Sequence, residues 1–179
     1  MLKKILLVVV ALVAAVCLYA ATLPDHFTVR RSILIKAPPE LIFPLIDNVH
    51  RWREWSPYEG RDPAMLRSYS GPDSGVGATY AWDGNAKVGS GSMEITAAQP
   101  PSTVTLALHF IKPFKVDDIA QFTLQPTNGG TEVVWTMSGP MLYVSKLMSV
   151  FFNLDRMIGG DFEAGLARLK ALAEQSPQS

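Results

Sequence analysis

Side chains able to do chemistry are sparse in this chain, and their spacing narrows them further. The three histidines, His26, His50 and His109, have no acid or cysteine at a metal-ligand spacing such as HExxH, so no metal is expected. Cys17 is the only cysteine, which excludes an internal disulfide, a zinc site built on several thiolates and an iron–sulfur cluster. Ser56, Ser90 and Ser92 have no adjacent base to activate them. Glycine-rich stretches at 71–77, 89–91 and 129–130 lack phosphate-loop spacing and read as turns and bulges. Asp117, Asp118 and Glu94 could act as acid–base groups inside a cavity, but no dedicated catalytic set is visible and no cofactor is expected.

What the chain offers instead is large side chains in one strand phase. Tyr80, Trp82, Met93, Leu108, Phe122, Trp135 and Met137 share the inward phase of their runs. Plain core is one use of these positions. The other is a pocket wall: Tyr80, Trp82 and Trp135 join a broad apolar face to a polar tip that can orient a ligand, and the methionines add adaptable surface. Phe162 and Leu166, from a C-terminal helix, and Trp55 complete the candidate ligand-binding set. Trp52 and Trp55 lie three apart and share a helical face, as packing or as a gate at a cavity mouth. Arg51 and Arg53 beside them are solvated charges or contacts for anionic headgroups. Arg31 and Asp118 fall in the apolar phase of their strands, either as a buried pair or at wet strand ends.

The elements that must carry these residues follow from periodicity. FTVRRSILI (27–35) alternates as a strand. Ala37-Pro38-Pro39-Glu40 opens a short helix, because a proline in the first turn loses no hydrogen bond. A second short helix covers Asp47–Glu54 and stops at Ser56-Pro57. Strands are expected at Met65–Ser70, Ala78–Trp82, Lys87–Ala97, Thr103–Ile111, Val116–Gln125 and Thr131–Ser138, with Asp83-Gly84-Asn85 a hairpin signal. Short connections make them an antiparallel meander. From Met141 the period is helical, with Ile158, Phe162, Leu166, Leu169 and Leu172/Ala173 in one stripe. Two interior glycines cost a helix about 2 kcal/mol against alanine, so a break is expected at Gly159-Gly160 between Met141–Asn153 and Asp161–Glu174. Such a helix must bury its stripe against the hollow of the sheet, and a gap between them makes an apolar cavity.

The 179 residues suffice for one domain with an appendage, and 48% hydrophobic content argues against disorder. Ile5–Leu23 is an uncharged run of nineteen residues behind Lys3 and Lys4. As a helix it would measure about 28 Å, close to the hydrocarbon core of a bilayer. A membrane anchor at 1–24, a domain at 25–175 and a tail at 176–179 are the expected divisions. A cleaved signal peptide, leaving a secreted domain, is the alternative reading of the first segment. The basic N-terminus favours a domain on the extracytoplasmic, periplasmic side, although Arg30, Arg31 and Lys36 pull the other way. Removing Lys3 and Lys4 leaves 14 bases against 16 acids, a balance that argues against nucleic acid as a partner.

RSILIKAPPELIF (31–43), the Trp52-x-x-Trp55-Ser56-Pro57 run and GPDSGVGATYAW (71–82) together resemble the SRPBCC superfamily. The resemblance is to its polyketide cyclase/dehydrase-like branch, related to START and birch-pollen-allergen domains. GSGSMEI (89–95), FIKPF (110–114), VVWTMSG (133–139) and MIGGDFEAGLARLK (157–170) strengthen it over about 26–174. The resemblance implies an α+β helix-grip fold, a seven-stranded antiparallel sheet wrapped around a long C-terminal helix, with an interior cavity for apolar ligands. It implies no particular reaction. The expected function is a membrane-tethered binding or carrier module for a hydrophobic small molecule or lipid, held to the membrane by residues 5–23. A cyclase/dehydrase-like enzyme acting on an apolar substrate is the alternative, and an envelope assembly factor with a vestigial cavity is a third. No protein partner is identifiable.

Overall fold

The computed structural model describes residues 1–175, so the expected tail at 176–179 lies outside the described residues. The elements in chain order are α1 (Leu2–Ala21), β1 (His26–Ile35), α2 (Pro39–Asp47), a 3-10 turn (Val49–Arg51), α3 (Trp52–Trp55), β2 (Leu66–Ser70), β3 (Thr79–Asp83), β4 (Ser90–Gln99), β5 (Thr103–Lys112), β6 (Val116–Thr127), β7 (Gly130–Pro140), α4 (Tyr143–Ser149) and α5 (Leu154–Gln175). Pro39 sits in the first turn of α2, as its fixed φ favours. The seven strands form one antiparallel sheet in the order β1-β7-β6-β5-β4-β3-β2. Strands β2 to β7 are a meander, and β1 closes on β7 by the pairing Val29↔Met137. This is the helix-grip arrangement.

Period-2 alternation aligns the inward side chains in rows across the sheet. One row runs Tyr80↔Met93↔Leu108↔Asp118. The next holds Ile95, Leu106, Ala120, Met137 and Val29, and a third holds Val104, Phe122, Trp135 and Arg31. Helices α2, α3 and α5 cover these rows. Phe162, Leu166, Leu169 and Ala173 of α5 are buried, the stripe its sequence marks. Trp135 stacks on Phe162 with centroids 3.9 Å apart and planes within 5°, joining β7 to α5.

The expected break at Gly159-Gly160 does not occur, because α5 is continuous through both. A Cβ on Gly159 would collide with the Arg31 guanidinium, which approaches the helix closely there. From that position Arg31 donates to the Asp155 carboxylate at 2.9 Å, the Asp155 carbonyl at 3.0 Å and Glu163 at 2.7 Å. These bonds offset what the glycine loses in helix propensity. The interruption falls instead at 150–153, where Asn153 Oδ1 accepts from the Arg156 amide at 2.8 Å and starts α5. Arg31 and Asp118 therefore do not pair. Arg31 meets α5, and Asp118 lies beside Gly139 near the other end of the sheet.

Helix α1 is long and apolar enough to cross a membrane, and nearly all of it is exposed. Only its last turns touch the domain. Ala20 is buried, and Val16 and Cys17 are half-buried beside α4. The buried Lys146 ammonium donates to the Leu23 carbonyl at 2.9 Å and pairs with Asp25.

Candidate functional site

A cavity of about 370 Å³ separates α5 from the sheet. Its α5 side is lined by Leu154, Ile158, Asp161 and Phe162, and the first fully buried aromatic of that helix is Phe162. Tyr80, Trp82, Met93, Leu108, Trp135, Met137 and Phe162 all line it. Trp55, Phe122 and Leu166 do not. They are fully buried at the closed end, where α3, α5 and the third row meet. There the Trp55 indole N–H donates to the Leu45 carbonyl at 2.8 Å, and its ring stands edge-on to Phe122 and Trp135 at 5.9 and 5.8 Å. Trp52 is a wall of the cavity with its N–H bonded to the Ile46 carbonyl at 2.8 Å, which fixes the ring in place.

The exposed members of the wall are Lys87, Pro113, Phe114 and Pro140. All four lie at the end of the sheet that carries the β3–β4 turn, the β5–β6 turn and the link from β7 to α4. The cavity opens at this end, and Met141, Leu142, Ser145 and Leu154 form its lip.

Polar groups on the wall are few and specific. The Asp118 side chain is buried, and its Oδ1 has no hydrogen-bond partner among the described residues. Burial, reinforced by the neighbouring Asp117 charge, pushes its carboxyl up to about 6. Gly139 makes the position available, since a Cβ there would occupy the space of the carboxylate. The Trp135 indole N–H is likewise buried and unpartnered. Three strands from Asp118 along the same row, the Tyr80 hydroxyl donates to Glu59 at 2.7 Å, and Arg67 holds the other Glu59 oxygen at 2.8 Å. Burial and the bond to Glu59 push the Tyr80 phenol well above its ordinary value, so it stays protonated. Spacing alone gave no sign of Glu59, which lies in a loop, or of an inward use for Gly139. The inward phase did mark Asp118.

Two histidines do have acid neighbours that linear spacing hides. His109 meets Asp117 at 2.8 Å across the β5–β6 ladder, and His50 meets Asp73 at 3.1 Å while stacked on Tyr69. Both pairs are exposed and neither histidine lines the cavity. No group of three or more His, Cys, Asp or Glu side chains able to hold a metal occurs among the described residues.

The family model for polyketide cyclase / dehydrase and lipid transport matches residues 26–174. The chain belongs to this family. No curated protein matches it. Solved structures share the family fold at low identity. A crystal structure of a protein from Chromobacterium violaceum is similar at TM-score 0.61 and 17% identity, covering 86% of this chain and all of that one. The Aha1 dimer from Colwellia psychrerythraea is similar at TM-score 0.59 and 20% identity, covering 83% of this chain and 97% of that one. The di-domain ARO/CYC BexL of the BE-7585A biosynthetic pathway is similar at TM-score 0.65 and 14% identity, covering 89% of this chain and 53% of that one. At these identities the likeness establishes the helix-grip fold and no activity.

Proposed function

We propose that the chain is a membrane-tethered carrier that holds a hydrophobic small molecule or lipid in its internal cavity. The observation that carries this reading is the apolar void between α5 and the sheet. Its volume of about 370 Å³ lies within the range of about 300–1,000 Å³ typical of small-molecule sites. Each 100 Å² of apolar ligand surface buried there gains about 2.5 kcal/mol before association costs. Asp118 and the Trp135 N–H supply the few polar contacts that would orient a ligand carrying one polar group. Family membership in a group that includes lipid transport agrees with this use, and α1 supplies the tether. Native mass spectrometry of the full chain, released from micelles, tests it. An apolar adduct that survives micelle removal is the expected result, and an empty chain that also fails to take up a fluorescent fatty acid overturns the reading.

An enzymatic reading rests on one observation, a buried and unpartnered Asp118 carboxyl on the cavity wall in the same sheet row as the Tyr80 phenol. It requires turnover of an apolar substrate that Asp118→Asn abolishes while binding persists.

A further inference from the structure

Beyond α1, several of the exposed apolar side chains lie on elements at one end of the molecule, while Leu34, Val76 and Ile119 are exposed elsewhere. Phe151 and Phe152, in the link between α4 and α5, are 70% and 59% exposed. Tyr143 and Met148 of α4 are about half exposed, as are Ile111 and Phe114 at the β5–β6 turn. A water-facing cluster of this size marks an interaction surface. Its location says what it touches. The four residues after α1 lead directly into β1, whose first residue pairs with Pro140 at the cavity mouth. Tyr143 donates its hydroxyl to the carbonyl of Cys17 at 3.0 Å. Cys17 lies four residues before the end of α1, so Tyr143 sits about 6 Å inside the end of that helix. An α1 that spans a bilayer therefore carries the start of α4 down to the level of the interface. Lys112 and Lys115 flank Phe114, the pattern in which charged heads stay among headgroups while an aromatic ring reaches below them.

We propose that α4, the 150–153 link and the β5–β6 turn are seated in the bilayer interface, so that the cavity opens onto lipid and not onto water. This rests on the tethered reading above and adds the direction from which the ligand enters. Occupants would partition first into the acyl layer and then pass between Phe114 and the lip formed by Met141 and Leu142 into the cavity. Phe151 and Phe152 take no part in the wall and act only in seating.

The test uses the full chain in phosphatidylcholine/phosphatidylglycerol vesicles. In a Cys17→Ala background, Phe152→Cys carries a polarity-sensitive fluorophore, and Asn128→Cys, in the β6–β7 turn at the opposite end of the sheet, serves as control. The Phe152 probe is expected to emit at shorter wavelength and to be quenched at least threefold more than the Asn128 probe by nitroxide-labelled lipid. Equal quenching in vesicles that still float with the chain overturns the seating and leaves the tether intact. A chain that does not float with the vesicles overturns both. Phe151→Glu with Phe152→Glu should slow uptake of a fluorescent fatty acid from vesicles about tenfold at unchanged final occupancy. Unchanged uptake by that variant overturns entry through the interface.

Discussion

Burial, with the Asp117 charge beside it, pushes the Asp118 carboxyl in the fold up to about 6, above the ordinary aspartate value of 3.8. Between pH 4 and 6 the folded state holds the extra proton, so this residue's contribution to stability falls as pH rises through that window. The full penalty stands at neutral pH and amounts to at most about 3 kcal/mol. Asp118→Asn removes it. The variant should be more stable than the parent at pH 7 by about 1–3 kcal/mol, with the difference vanishing near pH 4, read by denaturant titration at several pH values. An unchanged difference across that range would show that the carboxyl is not desolvated. Asp155 and Glu174 are shifted oppositely, held down respectively by hydrogen bonds from Arg31 and from the Lys36 amide, and both chains lose those contributions alike in acid. Tyr80→Phe removes one donor from Glu59 but leaves Arg67 on it. The expected cost is about 1 kcal/mol in thermal or denaturant melts, with a larger loss pointing to a more closed network than the bonds describe.

At the scale of elements, periodicity made the strands legible because each has one face on the core. The run 27–35, the meander and the stripe from Ile158 to Ala173 all follow from burial on one side. The same phase placed Tyr80, Met93, Leu108, Trp135 and Met137 inward, without distinguishing a cavity wall from solid packing. That distinction depends on what stands opposite. Phe122 and Leu108 share a phase, yet Phe122 is packed beneath Trp52 and Trp55 while Leu108 faces the void. Gly159-Gly160 misled for a related reason, since propensity reports on the helix alone and Arg31 arrives from a distant strand. The two glycines should separate cleanly. Gly159→Ala is expected to destabilise by about 1–2 kcal/mol, because the clash exceeds the propensity gain. Gly160→Ala, whose Cβ meets nothing within 4 Å, should stabilise by up to about 1 kcal/mol. Melts that rank them the other way would reverse the role given to Arg31. Asn153 was a readable signal, an N-cap residue just ahead of Leu154-Asp155.

For the molecule as a whole, the void is the feature most exposed to test. Ala120 stands in the middle row and lines it. Ala120→Leu puts side-chain bulk where a ligand would lie. Uptake of a fluorescent fatty acid should fall at least tenfold while the melting temperature moves by no more than about 4–8 °C, the equivalent of 1 kcal/mol in a domain of up to 100 residues and an upper bound here. Undiminished uptake would place the ligand elsewhere. A carbonate wash should leave the chain in the membrane fraction, whereas a soluble form shortened by about twenty residues would mark α1 as a leader. Lys146, buried and bonded to both Leu23 and Asp25, has a mechanical corollary. With the Met141 amide also bonded to the Asp25 carbonyl at 2.7 Å, the joint behaves as a bracket and not as a swivel. On the proposed carrier reading, a domain mounted in that way would not swing across an aqueous gap with a bound ligand, so an acceptor would have to come to it.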